Sequence, residues 1–272
     1  MDEGRGQDAL ACYQRAADLG DPAGLTNLGW CFESGTGLPE PLPMQAALLY
    51  AQAAEQGYLP ALTNLGYCYA HGLGLARDEG KALDCLQRAA KGGFPRAQYL
   101  MGDACLRGLG LPKDVEAACQ WFRSGAWLGE PSAQAEYGRC LEFGLGTEQD
   151  FAQAVKWYAQ AAEQGSALGE SCLGFCYESG RGVEQSWERA VYWYQKAARQ
   201  GHPYAQCNLG WCYEYGKGLP KAPEKAVALY EQAAKREYAR GYFSLGLCYE
   251  RGRGVEKDEG RAAKLYYEYI PA

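Results

Sequence analysis

The sequence predicts an all-α array of about seven and a half helix-turn-helix units, each near 36 residues, stacked as a solenoid. Three observations predict it. The stretch from Cys207 to Glu237, CNLGWCYEYGKGLPKAPEKAVALYEQAAKRE, has close copies along the whole chain, and one unit repeated at a fixed period marks a stacked array. The central glycines of the copies, Gly29, Gly66, Gly102, Gly138, Gly174, Gly210 and Gly246, are 36 or 37 residues apart. The composition is 47% hydrophobic and rich in Ala, Leu, Tyr and Gly, with little Ile, Val or Thr, which favours helix over sheet. A length of 272 residues exceeds the usual single core, but an array escapes that limit because each unit touches only its neighbours.

Residues 1–20 contain DALACYQRAADLG, which matches only the second half of a unit. Full units lie near 22–57, 59–93, 95–129, 131–165, 167–201, 203–237 and 239–272, and residues 1–272 are expected to form a single solenoid. The first half of each unit is a short helix. In the second unit Ala61, Leu65, Cys68 and Tyr69 fall on one helical face. That helix ends at Gly-x-Gly, whose first glycine suits a left-handed C-cap. The second half opens on an N-capping residue at Asp78, Asp114, Asp150, Ser186 and Asp258. Small residues four apart, around a Trp, Tyr or Leu, set its core face, and it stops at Gly57, Gly92, Gly165 and Gly201. Two short helices cannot bury their faces alone, so stacking completes the core. A glycine inside a helix costs about 1 kcal/mol relative to alanine. Its recurrence at the centre predicts that the two helices cross closest there, leaving no room for a Cβ.

Composition also excludes functions. A net charge of −6 with no basic stripe argues against nucleic acid and against anionic membranes. No apolar run approaches the ~18 residues of a membrane span, so no membrane insertion is expected, and MDEGRGQDAL does not read as a signal peptide. The twelve cysteines would suit a disulfide framework only in a small secreted domain. Cys31, Cys68, Cys140, Cys176, Cys212 and Cys248 instead occupy one slot, two residues after the central glycine. Stacked copies of a slot stand about 10 Å apart, beyond the ~7 Å reach of a disulfide. The expectation is small buried thiols in a reduced, cytoplasmic chain. His71 and His202, the only histidines, are too far apart in sequence for a shared metal or catalytic site. The repeated Gly-x-Gly reads as helix capping, and Glu33, Glu142, Glu178, Glu214 and Glu250 read as surface or groove charges. No Ser or Cys has a base placed by a motif. No enzyme, cofactor or metal is expected.

The pattern A-x-x-x-LG-x-x-Y-x-x-G-x-GV-x-x-D-x-x-x-A-x-x-(W/Y)-x-x-x-AA-x-x-G resembles the Sel1-like repeat, a relative of the tetratricopeptide repeat. Ala205, Leu209, Gly210, Tyr213, Gly216, Gly218, Ala226, Tyr230, Ala233 and Ala234 carry it in one unit, and it covers essentially the whole chain. The resemblance implies a right-handed superhelical solenoid whose first helices line a concave groove, and a role as an adaptor in protein complexes. A cysteine-rich secreted bacterial branch, linked to β-lactam binding, pairs cysteines between the end of one unit and the start of the next. Here those ends read AAEQG or AARQG, without Cys, so that branch fits poorly.

By the same resemblance the groove is lined just after the central glycine, two or three residues before it, and four or five after it. Just after it come Trp30, Tyr67, Asp103, Arg139, Phe175, Trp211 and Leu247; no core slot varies so widely, so this one should face solvent. Two before it, Asn27, Asn64 and Asn208 recur, and His71, Arg107 and Tyr215 stand further along. Asn can hold a peptide backbone with both donor and acceptor, and aromatic faces can take its side chains. The candidate site is therefore Asn27, Trp30, Asn64, Tyr67, His71, Asp103, Arg107, Arg139, Phe175, Asn208, Trp211 and Tyr215, and the expected partner is a protein or extended peptide. The rival readings are a structural array that associates end to end, engineered consensus-like repeats, and a β-lactam or peptidoglycan binder.

Overall fold

The computed structural model describes residues 3–269. Among the described residues there are fifteen α-helices and no strand. Helix α1 (Glu3–Asp18) supplies the opening half-unit. Seven pairs follow: α2 (Pro22–Ser34) with α3 (Pro43–Glu55), α4 (Leu59–His71) with α5 (Glu79–Lys91), α6 (Pro95–Arg107) with α7 (Val115–Trp127), α8 (Pro131–Phe143) with α9 (Phe151–Glu163), α10 (Ala167–Ser179) with α11 (Trp187–Arg199), α12 (Pro203–Tyr215) with α13 (Pro223–Ala234), and α14 (Ala239–Arg251) with α15 (Glu259–Tyr269). The chain divides into two compact units, the first ending at Ala133 and the second beginning at Gln134. Within each unit successive helices pack on one another, and first helices of neighbouring repeats also touch, α2 with α4 and α12 with α14.

The expected caps form. Asp78, Asp114, Asp150, Ser186 and Asp258 each accept a hydrogen bond from the backbone N–H three residues on, which satisfies a donor that the helix leaves free. First helices close on a left-handed glycine: Gly72, at φ 68, donates its N–H to the Cys68 carbonyl. At the end of α5 the left-handed residue is Gly93 rather than Gly92, which stays helical. The second glycine of Gly-x-Gly has a job that the sequence did not disclose. At Gly74 and Gly182 the loop lies on the start of the second helix of the preceding repeat, so closely that a Cβ would overlap the carbonyls of Pro43 and Phe151.

Each pair is cored on one slot of its second helix: Tyr50, Leu86, Phe122, Tyr158, Tyr194, Tyr230 and Tyr266. The ring faces the central glycine of the first helix. A Cβ at Gly29, Gly138, Gly174, Gly210 or Gly246 would sit 2.5–2.7 Å from a tyrosine ring carbon, and one at Gly102 would sit 2.5 Å from Phe122. The predicted close crossing is thus ring against backbone. Gly66 is the looser case, with Leu86 Cγ at 3.1 Å as its nearest neighbour. The slot after the glycine alternates with the expected small core: Cys31, Cys68, Cys140, Cys176, Cys212 and Cys248 are all buried. Burial pushes the thiols of Cys68 and Cys207 up to about 11 and those of Cys176, Cys212 and Cys248 up to about 12, far from the thiolate that reacts or binds metal.

Candidate functional site

The repeated glutamates are not spare surface charges. Each accepts a hydrogen bond from the tyrosine hydroxyl of its own pair: Tyr50 to Glu33, Tyr158 to Glu142, Tyr194 to Glu178, Tyr230 to Glu214 and Tyr266 to Glu250, at 2.5–3.2 Å. Burial first, and the paired carboxylate next, hold the hydroxyls of Tyr50, Tyr194 and Tyr230 far above the ordinary phenol range. In the second unit an arginine from the following Gly-x-Gly loop closes the set, Arg181 on Glu142 at 3.4 Å and Arg253 on Glu214 at 2.6 Å. The two remaining pairs change both partners together: Ala70 stands with Leu86, and Leu106 with Phe122. Carboxylate is present only where there is a hydroxyl to bind it.

In the first unit the candidate residues lie on the first helices. Asn27 and Trp30 are exposed on α2, with Trp30 at 53%. On α4, Asn64 is half-buried, while Tyr67 and His71 are exposed, their rings 4.1 Å apart. On α6, half-buried Asp103 accepts from Arg107 Nε at 2.7 Å. Tyr67, His71, Asp103 and Arg107 come together around a cavity of about 560 Å³ between α4, α5 and α6. Its floor is apolar, built by Ala70, Ala82, Leu83, Leu86, Leu100 and Ala104, with Arg77, Glu79 and Leu109 at its edge. The sequence reading missed the floor. The signal that marks it is the replacement of both the tyrosine and the glutamate by smaller residues, Leu86 and Ala70, where the next copy puts Phe122 and Leu106.

In the second unit Arg139 on α8 and Phe175 on α10 share a cavity of about 380 Å³ with Phe143, Cys172, Arg181, His202 and Tyr204. Arg139 is held by Glu136 at 3.0 Å, and the Arg181 guanidinium lies 5.3 Å from the Phe175 ring centre. Burial lowers the His202 pKa, which favours its neutral form. Three expectations on α12 change. Asn208 is only 5% exposed, and its Oδ1 accepts from Arg240 of the next repeat at 2.7 Å, so it ties repeats together. Trp211 is half-buried, stacked on Trp187 at 5.6 Å and against Tyr215 at 5.1 Å. Tyr215 stays 46% exposed, but its hydroxyl accepts from Arg253 at 2.8 Å.

Among the described residues no group of three or more His, Cys, Asp or Glu side chains is placed to hold a metal ion, and no helix is long and apolar enough to cross a membrane. The Sel1 repeat model matches the chain eight times, at residues 6–21, 22–58, 59–94, 95–129, 131–166, 172–202, 203–238 and 239–268. The chain belongs to the Sel1 repeat family. Solved structures of Sel1 repeat proteins resemble it over most of its length. One from Oxalobacter formigenes shares 26% identity at a TM-score of 0.80, covering 91% of this chain and 97% of that one. A protective antigen of uropathogenic Escherichia coli with the same repeat fold shares 31% identity at a TM-score of 0.69, covering 94% of this chain. This chain spans 55% of that antigen's length. An immunity protein from Pseudomonas aeruginosa, 22% identical, with a TM-score of 0.54 over 77% of this chain and 82% of its own, shares the fold. No curated protein shows significant sequence similarity to the chain. The Sel1 repeat fold is one on which protein-interaction scaffolds are commonly built.

Proposed function

We propose that this Sel1 repeat chain is a non-catalytic scaffold that holds an extended segment of a partner protein along the exposed sides of its first helices. One observation carries the reading. In the first unit the slot after the central glycine presents large aromatic rings to solvent, Trp30 at 53% and Tyr67 at 44% exposure, on helices whose other side is already buried. Exposed aromatic rings with a polar neighbour such as Asn27 are the kind of surface that dominates binding energy when covered. First helices of neighbouring repeats touch within each unit, which puts these side chains in a row that an extended chain can follow. Groups of opposite charge beside them, such as Asp103 and Arg107, neutralise one another, so affinity would rest on many modest contacts.

The second helices offer the competing surface, with Met44 at 62% and Leu48 at 56% exposure on α3. Partner capture by Asn27→Ala/Trp30→Ala, run beside Met44→Ala/Leu48→Ala, tests which face binds. The reading expects the first pair to lose partner while melting as the wild type does, and the second to retain it. The opposite result moves the site to the second helices.

A further inference from the structure

We propose that the cavity between α4, α5 and α6 is an anchor site for one bulky, uncharged side chain, aromatic or leucine, of an extended partner peptide; this rests on the scaffold reading above and names the spot that would select the partner.

Tyr50, Phe122, Tyr158, Tyr194 and Tyr230 fill the core slot of their pairs and are buried, whereas Leu86, like Tyr266 of α15, is half-buried. Two groups are missing at once, the phenol ring that Leu86 replaces and the carboxylate that Ala70 replaces. The next copy also lacks hydroxyl and carboxylate, but there Phe122 and Leu106 put back apolar volume. Only at Leu86 and Ala70 is volume removed and not replaced. The cavity over this apolar floor measures about 560 Å³, against about 380 Å³ at the matching place between α8 and α10, where Glu142 and Tyr158 are kept, and it lies within the range of sites that engulf a ligand group, about 300–1,000 Å³. Covering an apolar floor that otherwise stays open to water is favourable.

The rim decides the class of occupant. Its charges are already paired, Arg77 with Glu79 at 2.6 Å and Arg107 with Asp103 at 2.7 Å. An ionic ligand would have to break one of these pairs to gain a partner. An uncharged side chain needs only the floor. At the mouth, the half-exposed Tyr67 ring on His71 offers a face for the peptide that carries the anchor. A ring or a leucine would thus complete here, from outside, the packing that the other pairs complete from within.

Two variants refill the cavity with pairs the chain already uses: Ala70→Glu/Leu86→Tyr copies Glu142 and Tyr158, and Ala70→Leu/Leu86→Phe copies Leu106 and Phe122. The probe is a displayed library of random peptides about twelve residues long, panned on the full wild-type chain, with selected peptides then measured on both variants. The proposal expects selected peptides to share one aromatic or leucine residue, and at least a tenfold loss of affinity on each refilled variant that melts at or above the wild type. Replacing the shared residue by alanine should cost a similar factor. Unchanged affinity on a folded refilled variant, selection of a charged residue in its place, or no enrichment at all would overturn it. If the refilled variants bind normally and Asn27→Ala/Trp30→Ala does not, the anchor is wrong and the scaffold face stands. If all of them bind normally, both readings fall.

Discussion

Replacing Gly174 with alanine measures how tightly the pairs cross. A Cβ at Gly174 stands 2.7 Å from both Cδ1 and Cε1 of Tyr194. Carbon atoms in ordinary contact lie about 3.5–4.0 Å apart, so the ring must retreat. It has nowhere to go, because Tyr194 is fully buried and its hydroxyl is held by Glu178. Overpacking of this kind costs about 1–3 kcal/mol. Stretching the hydroxyl bond costs about 1 kcal/mol more, and alanine returns about 1 kcal/mol through helix propensity. The net expectation is a loss of about 1–3 kcal/mol. At Gly66 the nearest atom is Leu86 Cγ at 3.1 Å, on a side chain that borders open space and carries no hydroxyl. There the small packing cost and the propensity gain should leave alanine within about 1 kcal/mol of neutral. Urea unfolding followed by circular dichroism compares the two variants, with native-state hydrogen exchange beside it because an array need not unfold in one step. In a Glu178→Ala/Tyr194→Leu background, which copies the second pair, Gly174→Ala should lose most of its penalty. Equal destabilisation at Gly66 and Gly174, or a raised midpoint for Gly174→Ala, would refute the reasoning.

The glutamate–tyrosine pairs should behave as units. Glu142→Gln and Tyr158→Phe are each expected to cost about 1–3 kcal/mol, since a hydrogen bond to a charged group is among the stronger kinds. The double variant should cost less than their sum by about 0.5–3 kcal/mol, and additive effects in urea titration would deny the coupling. Alkaline sensitivity follows from the buried thiols. Their ordinary value is 9.0, and in Cys68, Cys176, Cys207, Cys212 and Cys248 it is raised to about 11 or 12. A group raised on folding contributes stability that is fully present below its unfolded value and lost as pH climbs toward the folded one. Stability should therefore hold up to about pH 8 and fall by about 1 kcal/mol per thiol by pH 10. A urea midpoint that stays level from pH 7 to pH 10 would mean that these thiols ionise in place.

The fold was legible because it is written in local, repeated signals: caps at Asp78 and Asp150, left-handed glycines after the first helices, and a glycine where a ring must pass. The exposed slot after that glycine was also legible at Trp30 and Tyr67. It misled at Trp211 and Asn208 because the residues that cover them, Trp187 and Arg240, lie on other helices, 24 residues back and 32 residues on. Nothing in the local spacing shows that a neighbour will reach across. The glutamates were misread for a related reason. Their tyrosine partners lie 16 or 17 residues away on the facing helix, so each glutamate alone looks like one more acidic residue at a helix end. Aligned copy against copy, the chain does disclose the pairing, since Ala70 goes with Leu86 and Leu106 with Phe122.

That pairing also suggests where an array of this kind can put function. A slot that is the same in every copy is fixed by stacking, and any partner-specific chemistry placed there would be repeated along the whole chain. Selectivity has to come from departures. The second unit uses its departures to tie repeats together, with Arg181 and Arg253 reaching the glutamates of the repeat before them. In the first unit the matching loop positions are Thr36, Leu73 and Leu109, which can make no such ion pair. There a missing ring and a missing carboxylate leave an open apolar floor beside Tyr67. Closing that floor with Ala70→Glu/Leu86→Tyr should raise the stability of the first unit while removing a binding site. A single substitution pair that moves stability and affinity in opposite directions separates packing from function more sharply than any truncation to alanine, because a truncation weakens both.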